Sequence, residues 1–125
     1  QLHERIKYHP KITFFENTDI RNFQSKEIFE IVTCDVSFIS ILNILNDINR
    51  LAPKDIIILF KPQFEVGTNV KRDKKGVVKD KNAILKARQK FVDSTLALNW
   101  NLKYSSLSKL QGKDGNEEEL FYFSK

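Results

Sequence analysis

Two charged side chains stand where apolar runs stop. Asp35 closes "IFEIVTCD" and Lys61 follows "DIIILF", so each sits at the carboxyl end of a segment that reads as a strand. In open α/β sheets ligands bind outside those ends. If the two strands are neighbours, as consecutive strands with a helical crossover often are, their ends lie roughly 5 Å apart. A carboxylate and an ammonium then share the edge of the fold where chemistry usually sits, although the same two residues also read as a structural ion pair. Pro62 adds a constraint, because proline disfavours the helical region for the preceding residue and keeps Lys61 extended.

The other chemistry-bearing residues form weaker patterns. Ser37 reads as a helix cap and not a nucleophile, since no histidine lies in a matching motif. His3 and His9 sit in a charged N-terminal segment without metal-ligand spacing to Cys34. Cys34 reads as a small apolar residue packed inside, and Trp100 and "LFYF" as core. Glu118, in "GNEEE", is by itself an acid in an exposed loop. Residues 66–81 carry Lys71, Arg72, Lys74, Lys75, Lys79 and Lys81 against Asp73 and Asp80, most of the chain's net charge of +5. Such a run is ordinarily a solvated loop. It stands directly after Lys61, at the expected working edge.

The elements that must position these residues alternate along the chain. "KITFF" (11–15) follows Pro10 and reads as a strand ending at Glu16, and "IFEIVTCD" (28–35) as a second. From Ser37, with Ser37 as N-cap, Phe38, Ile41, Leu42, Leu45 and Ile48 recur at helical spacing, and Pro53 ends that helix near Leu51. "DIIILF" (55–60) is a third strand whose unbroken apolar run predicts burial on both faces. A loop over 67–79, bounded by Gly67 and Gly76, leads to a helix over 80–99 capped by Asp80, with Ile84, Ala87, Phe91, Thr95 and Leu98 on one face. Strands through "WNLKYSSLS" and "ELFYFS" are joined by a turn region, "KLQGKDGNEE". The order β, β, α, β, α, β, β predicts an α/β fold with a mainly parallel sheet closed by an antiparallel hairpin.

Composition sets the outer bounds. With 125 residues the chain is one domain at most, and 41% hydrophobic content with ten Phe supplies a core. A pI near 9.3 leans toward polyanionic partners. One cysteine excludes an internal disulfide framework and fits a reducing compartment, so a cytoplasmic protein is expected. The longest strongly apolar run, Ile56 to Phe60, is far short of the roughly 20 residues of a membrane-spanning helix, and no membrane association is expected. The chain opens on Gln1 and contains no Met, so it is expected to be a piece of a longer polypeptide.

Four segments in order, "VTCDVSFISILNIL", "LFKPQFEVG", "KGVVKD" and "GKDGNEEELFYF", resemble the landmarks of the TlyA (haemolysin A) family, relatives of the FtsJ-type ribosomal RNA 2′-O-methyltransferases. The resemblance runs over the whole chain. It implies a Rossmann-like methyltransferase that uses S-adenosylmethionine and a Lys, Asp, Lys, Glu tetrad. Carried over by motif, the Asp is Asp35, the second Lys is Lys61 and the Glu is Glu118, selected over Glu117 by the family's spacing from Asn116. Asp35 and Glu16 are the residues placed toward the cofactor, and with an RNA substrate implied, the charge of the loop that follows Lys61 assigns Lys71, Arg72, Lys74, Lys75 and Lys79 to RNA phosphates. Lys61 is assigned orientation of the ribose hydroxyl and stabilisation of oxyanion charge rather than general-base action, because Asp35 and Glu118 favour an ammonium.

By the same resemblance residues 1–125 form part of one methyltransferase domain. The first tetrad Lys, the glycine-rich cofactor loop, strands 1 and 2 of the sheet and an S4-like RNA-binding domain would lie upstream of Gln1. Residues 1 to about 25 are then expected to be displaced, poorly packed or paired with another molecule, and the open sheet edge invites self-association. The chain alone is expected neither to bind cofactor tightly nor to turn over. Lys75 and Lys109 stand where the family favours Gly and Pro, which bears on the backbone of the loops. Ribosomal RNA or ribosomal subunits are the partners implied. A non-catalytic RNA-binding module and a cytolysin remain as alternatives from other classes.

Overall fold

The computed structural model describes residues 2–111 and 115–125. Four strands form one sheet: β1 (Ile31–Cys34), β2 (Asp55–Phe60), β3 (Asn101–Leu107) and β4 (Glu119–Ser124), in the order β1-β2-β4-β3. β1 and β2 are parallel neighbours, with Cys34 opposite Ile58. β4 runs antiparallel to both β2 and β3, so three strands point one way and β4 opposes them. The pairing of Phe60 with Glu119 sets the register at the working edge. One residue beyond it on either strand stand Lys61 and Glu118. The turn before β4 falls partly on residues 112–114, outside the described residues.

The helices are α1 (Glu4–Lys7), α2 (Leu45–Leu51), α3 (Pro62–Glu65) and α4 (Lys81–Ala97). α4 starts where Asp80 accepts a hydrogen bond from the Ala83 N–H at 3.0 Å, as its sequence predicts. Its expected inner face holds, with Phe91 and Thr95 buried. Apolar side chains of α2 and α4 cover one face of the sheet: Leu45, Ile48 and Phe91 pack with Ile56, Ile58, Phe60, Phe121 and Phe123. Phe91 lies 5.0 Å from Phe121 and 5.4 Å from Phe60, ring centre to ring centre. Trp100 completes the layer and donates its indole N–H to Asn49 Oδ1 at 2.8 Å.

Three sequence expectations change. β2 is not buried on both faces: Ile56, Ile58 and Phe60 are buried, whereas Asp55, Ile57 and Leu59 remain partly exposed, because the described core lies on one face. The helix expected from Ser37 begins only at Leu45, after a 3₁₀ turn over Ile41–Asn43 that is capped by Ser40 and not by Ser37. Phe38 adopts φ 65°, which no right-handed helix contains, and its ring is 92% exposed.

"KITFF" forms no strand. Propensity for β structure is realised only against a pairing neighbour, and no strand flanks this segment among the described residues. Instead the Ile12 N–H donates to the His9 carbonyl, Lys7 pairs with Glu16 at 3.0 Å, and the Lys7 ammonium lies 4.7 Å from the centre of the Phe14 ring. No residue from 2 to 30 is buried. The segment is anchored through Ile20, which packs on the core and whose carbonyl accepts from Arg50 at 2.7 Å.

Candidate active site

The site is built around one short helix. Lys61 leaves β2 in extended conformation (φ −114°, ψ 101°), and Pro62 occupies the first position of α3, where a missing N–H costs nothing. Lys61, Phe64 and Glu65 of "KPQFE" then reach residues 35–41, and Gln63 reaches the segment before β4. The Lys61 ammonium touches Asp35 Oδ1 at 2.5 Å and donates to Ser37 Oγ at 3.1 Å. Gln63 donates to Glu118 Oε2 at 2.9 Å. The Phe64 ring lies 5.1 Å from that of Phe38. Glu65 accepts from Ser40 Oγ at 2.7 Å and from the Ile41 N–H at 2.8 Å.

The structure therefore brings Asp35 and Lys61 together at the carboxyl ends of adjacent parallel strands. The Lys61 side chain is only 12% exposed and that of Asp35 66%, so the lysine is held from beneath and the carboxylate faces outward. Glu118 stands at the same edge and is buried, while Glu117 is exposed. Glu118 forms no ion pair among the described residues; its partner is the Gln63 amide. Burial pushes the Cys34 thiol up to about 11, with the neighbouring Asp35 adding to the shift, which leaves it an inert packing group.

Glu16 stands elsewhere. It is engaged with Lys7 in the N-terminal segment and closes no strand. Of the two residues expected to face a cofactor, Asp35 alone offers an outward carboxylate at a strand end, which suits a ligand carrying positive charge. The first glycine of the sequence is Gly67, so residues 1–66 hold no glycine-rich loop. His3 and His9 cap local backbone N–H groups, and no metal-ligating cluster occurs among the described residues.

The basic loop divides into two parts. Arg72 is turned inward: its guanidinium donates to the carbonyls of Gln63 at 2.7 Å, Val70 at 3.0 Å and Gly67 at 3.3 and 3.4 Å. It ties the loop to α3 and is not free for a phosphate. Lys71, Lys74, Lys75 and Lys79 are exposed. Asp73 organises the turn beneath them by accepting from the Val77 and Lys75 N–H groups, which hold its carboxyl below the usual range. Gly76 takes φ +84° and Lys75 does not take a positive φ, so lysine is accommodated at that position. Asn116 clamps the loop to the "GNEEE" segment by accepting from the Val78 N–H at 3.0 Å.

Sequence reasoning missed Phe38, Gln63 and Glu65. The first is marked by an aromatic residue beside Asp35 in "DVSFIS", while the other two act across 55 and about 25 residues of chain and leave no local signal.

No helix among the described residues is long and apolar enough to cross a membrane. The chain is 55% identical over 125 residues to the 23S rRNA (cytidine-2′-O)-methyltransferase TlyA of Campylobacter jejuni, covering all of this chain and 49% of that protein. It is 33% identical over 129 residues to the 16S/23S rRNA (cytidine-2′-O)-methyltransferase TlyA of Mycobacterium tuberculosis, covering 98% and 47%. The chain thus spans about half the length of the curated relatives it matches. A Lactococcus lactis crystal structure whose description carries the word hemolysin superposes with TM-score 0.89 at 26% identity, over all of this chain and 62% of that one. A Streptococcus thermophilus protein similarly described gives 0.89 at 24% identity, a likeness of fold, over all of this chain and 47% of that one. The model of the FtsJ-like methyltransferases matches residues 1–125, and the chain belongs to that family.

Proposed function

We propose that this chain carries the hydroxyl-handling half of an S-adenosylmethionine-dependent methyltransferase that modifies the 2′-oxygen of ribose in ribosomal RNA. The observation that carries the reading is the Lys61 ammonium, locked between Asp35 and Ser37 at the edge where two parallel strands end. When bound, S-adenosylmethionine supplies an electrophilic sulfonium methyl group.

The chain's own residues do the positioning. Lys61 orients the 2′-hydroxyl and offsets negative charge growing on its oxygen as the O–H proton departs. Asp35 fixes the ammonium in place, which makes it a pre-positioned electrostatic partner for that oxygen. Glu118, one residue beyond the β2–β4 register, supplies a second fixed carboxylate toward the ribose. The exposed Phe38 ring gives a face on which a base can stack beside this edge.

RNA phosphates are assigned to Lys71, Lys74, Lys75 and Lys79, exposed on the loop that Arg72 anchors. The open edge of β1 is assigned as a pairing surface for a further strand, from this protein or a second copy. Concentration-dependent sedimentation checks that assignment, and a monomer at every concentration removes self-association.

The deciding experiment is methyl transfer from labelled cofactor to ribosomal subunits by the full-length protein, followed by nucleoside analysis. Label in an alkali-resistant 2′-O-methyl nucleotide is expected. Label confined to a base, or none with either subunit, overturns the reading.

A further inference from the structure

We infer that Gln63 is a positioning residue for the reaction: its amide holds the Glu118 carboxylate at the working edge without neutralising it. This rests on the methyltransferase reading above.

Glu118 is a carboxylate with 8% exposure, and no cation pairs with it among the described residues. A buried carboxylate needs compensating hydrogen bonds. The Gln63 Nε2–H donates to it at 2.9 Å, and Gln63 belongs to the same short turn as Lys61. The amide orientation is fixed by chemistry, since turning it over would set two oxygens against each other at that distance. Gln63 is itself braced, because Arg72 donates to its backbone carbonyl at 2.7 Å.

The choice of an amide is what points to function. A lysine or arginine at this position would satisfy Glu118 more strongly but cancel its charge. A neutral donor aligns the carboxylate and leaves its field intact. Gln63 Oε1 is sealed from solvent and has no hydrogen-bond partner among the described residues, so the donor end of the amide is the end that makes a contact. Among the described residues the charged groups that contact Gln63 are Glu118, at its side-chain amide, and Arg72, at its backbone carbonyl.

The test compares three forms of the full-length protein on ribosomal subunits: wild type, Gln63→Met and Gln63→Glu. Gln63→Met preserves shape and removes the donor; kcat is expected to fall by about tenfold or more while KM for RNA changes less than twofold. Gln63→Glu sets a second carboxyl against Glu118. Sharing one proton, the pair keeps its hydrogen bond, and losing that proton as pH rises turns the contact repulsive. Its activity relative to wild type is therefore expected to decline with rising pH, a dependence that a packing role does not produce. Wild-type kcat in Gln63→Met, or a pH-independent ratio for Gln63→Glu, overturns the inference while the methyltransferase reading stands. Absence of 2′-O-methyl product from the wild type overturns both.

Discussion

Replacing Glu65 by alanine should unsettle the loop that carries Asp35 without touching any group assigned to the reaction. The Glu65 carboxylate receives the Ser40 hydroxyl at 2.7 Å and the Ile41 N–H at 2.8 Å, and these bonds fix the 3₁₀ turn that closes "DVSFIS". Ile41 is 1% exposed, so its N–H would be left buried without an acceptor, at a cost of about 1–3 kcal/mol. Ser40 can turn to water, which adds less. Glu65→Ala is thus expected to lower stability by about 2–3 kcal/mol in urea unfolding followed by the buried Trp100. Burial raises the Glu65 carboxyl above its ordinary value, against the pull of its two hydrogen bonds. A carboxyl with a raised folded value favours folding below the unfolded value, and that contribution is lost as pH rises through the folded value. Glu65→Gln keeps an acceptor for Ile41 and removes the titration, so its stability should gain on wild type as pH rises through that window. A loss under about 0.5 kcal/mol in Glu65→Ala, or identical pH slopes in Glu65→Gln and wild type, would refute the reasoning.

The basic loop separates two roles. Replacing Lys71, Lys74, Lys75 and Lys79 together by alanine should weaken RNA binding and flatten its salt dependence, with unchanged filter-binding slopes removing the loop from the RNA account. Arg72→Ala should instead cost about 1.5–3 kcal/mol of stability, because its carbonyl contacts are lost. Phe91→Ala, at the centre of the aromatic layer, is expected to cost about 3–5 kcal/mol in denaturant unfolding. Phe38→Gly relieves a left-handed backbone worth about 1–2 kcal/mol and gives up a ring contact of similar size, so stability should change by less than about 1 kcal/mol while RNA methylation falls.

The elements with strong local signals were legible in the sequence. β2, α4 and its Asp80 cap, and the β3 and β4 strands follow from apolar runs, helical spacing and turn residues. The meeting of Asp35 and Lys61 followed from topology, since both close apolar strands joined by one crossover. What failed had a tertiary cause. "KITFF" has strand composition but no neighbour to pair with, and the 37–51 segment has helical spacing interrupted by a backbone turn at Phe38 that periodicity cannot report. Arg72 looks like its lysine neighbours in sequence, yet its planar fork matches clustered carbonyls and is drawn inward. Gln63 and Glu65 carry no signal in a single sequence, because their partners are distant in the chain.

The claim that Lys61 handles the ribose hydroxyl is tested most directly by the single-turnover rate of the full-length protein and its Lys61→Met variant at saturating cofactor and RNA. Methionine keeps much of the aliphatic stem and removes the charge, so the fold and RNA binding should survive. The account predicts a loss of about 10²–10³ in the methyl-transfer rate with RNA affinity unchanged. Equal rates for the two proteins would contradict it.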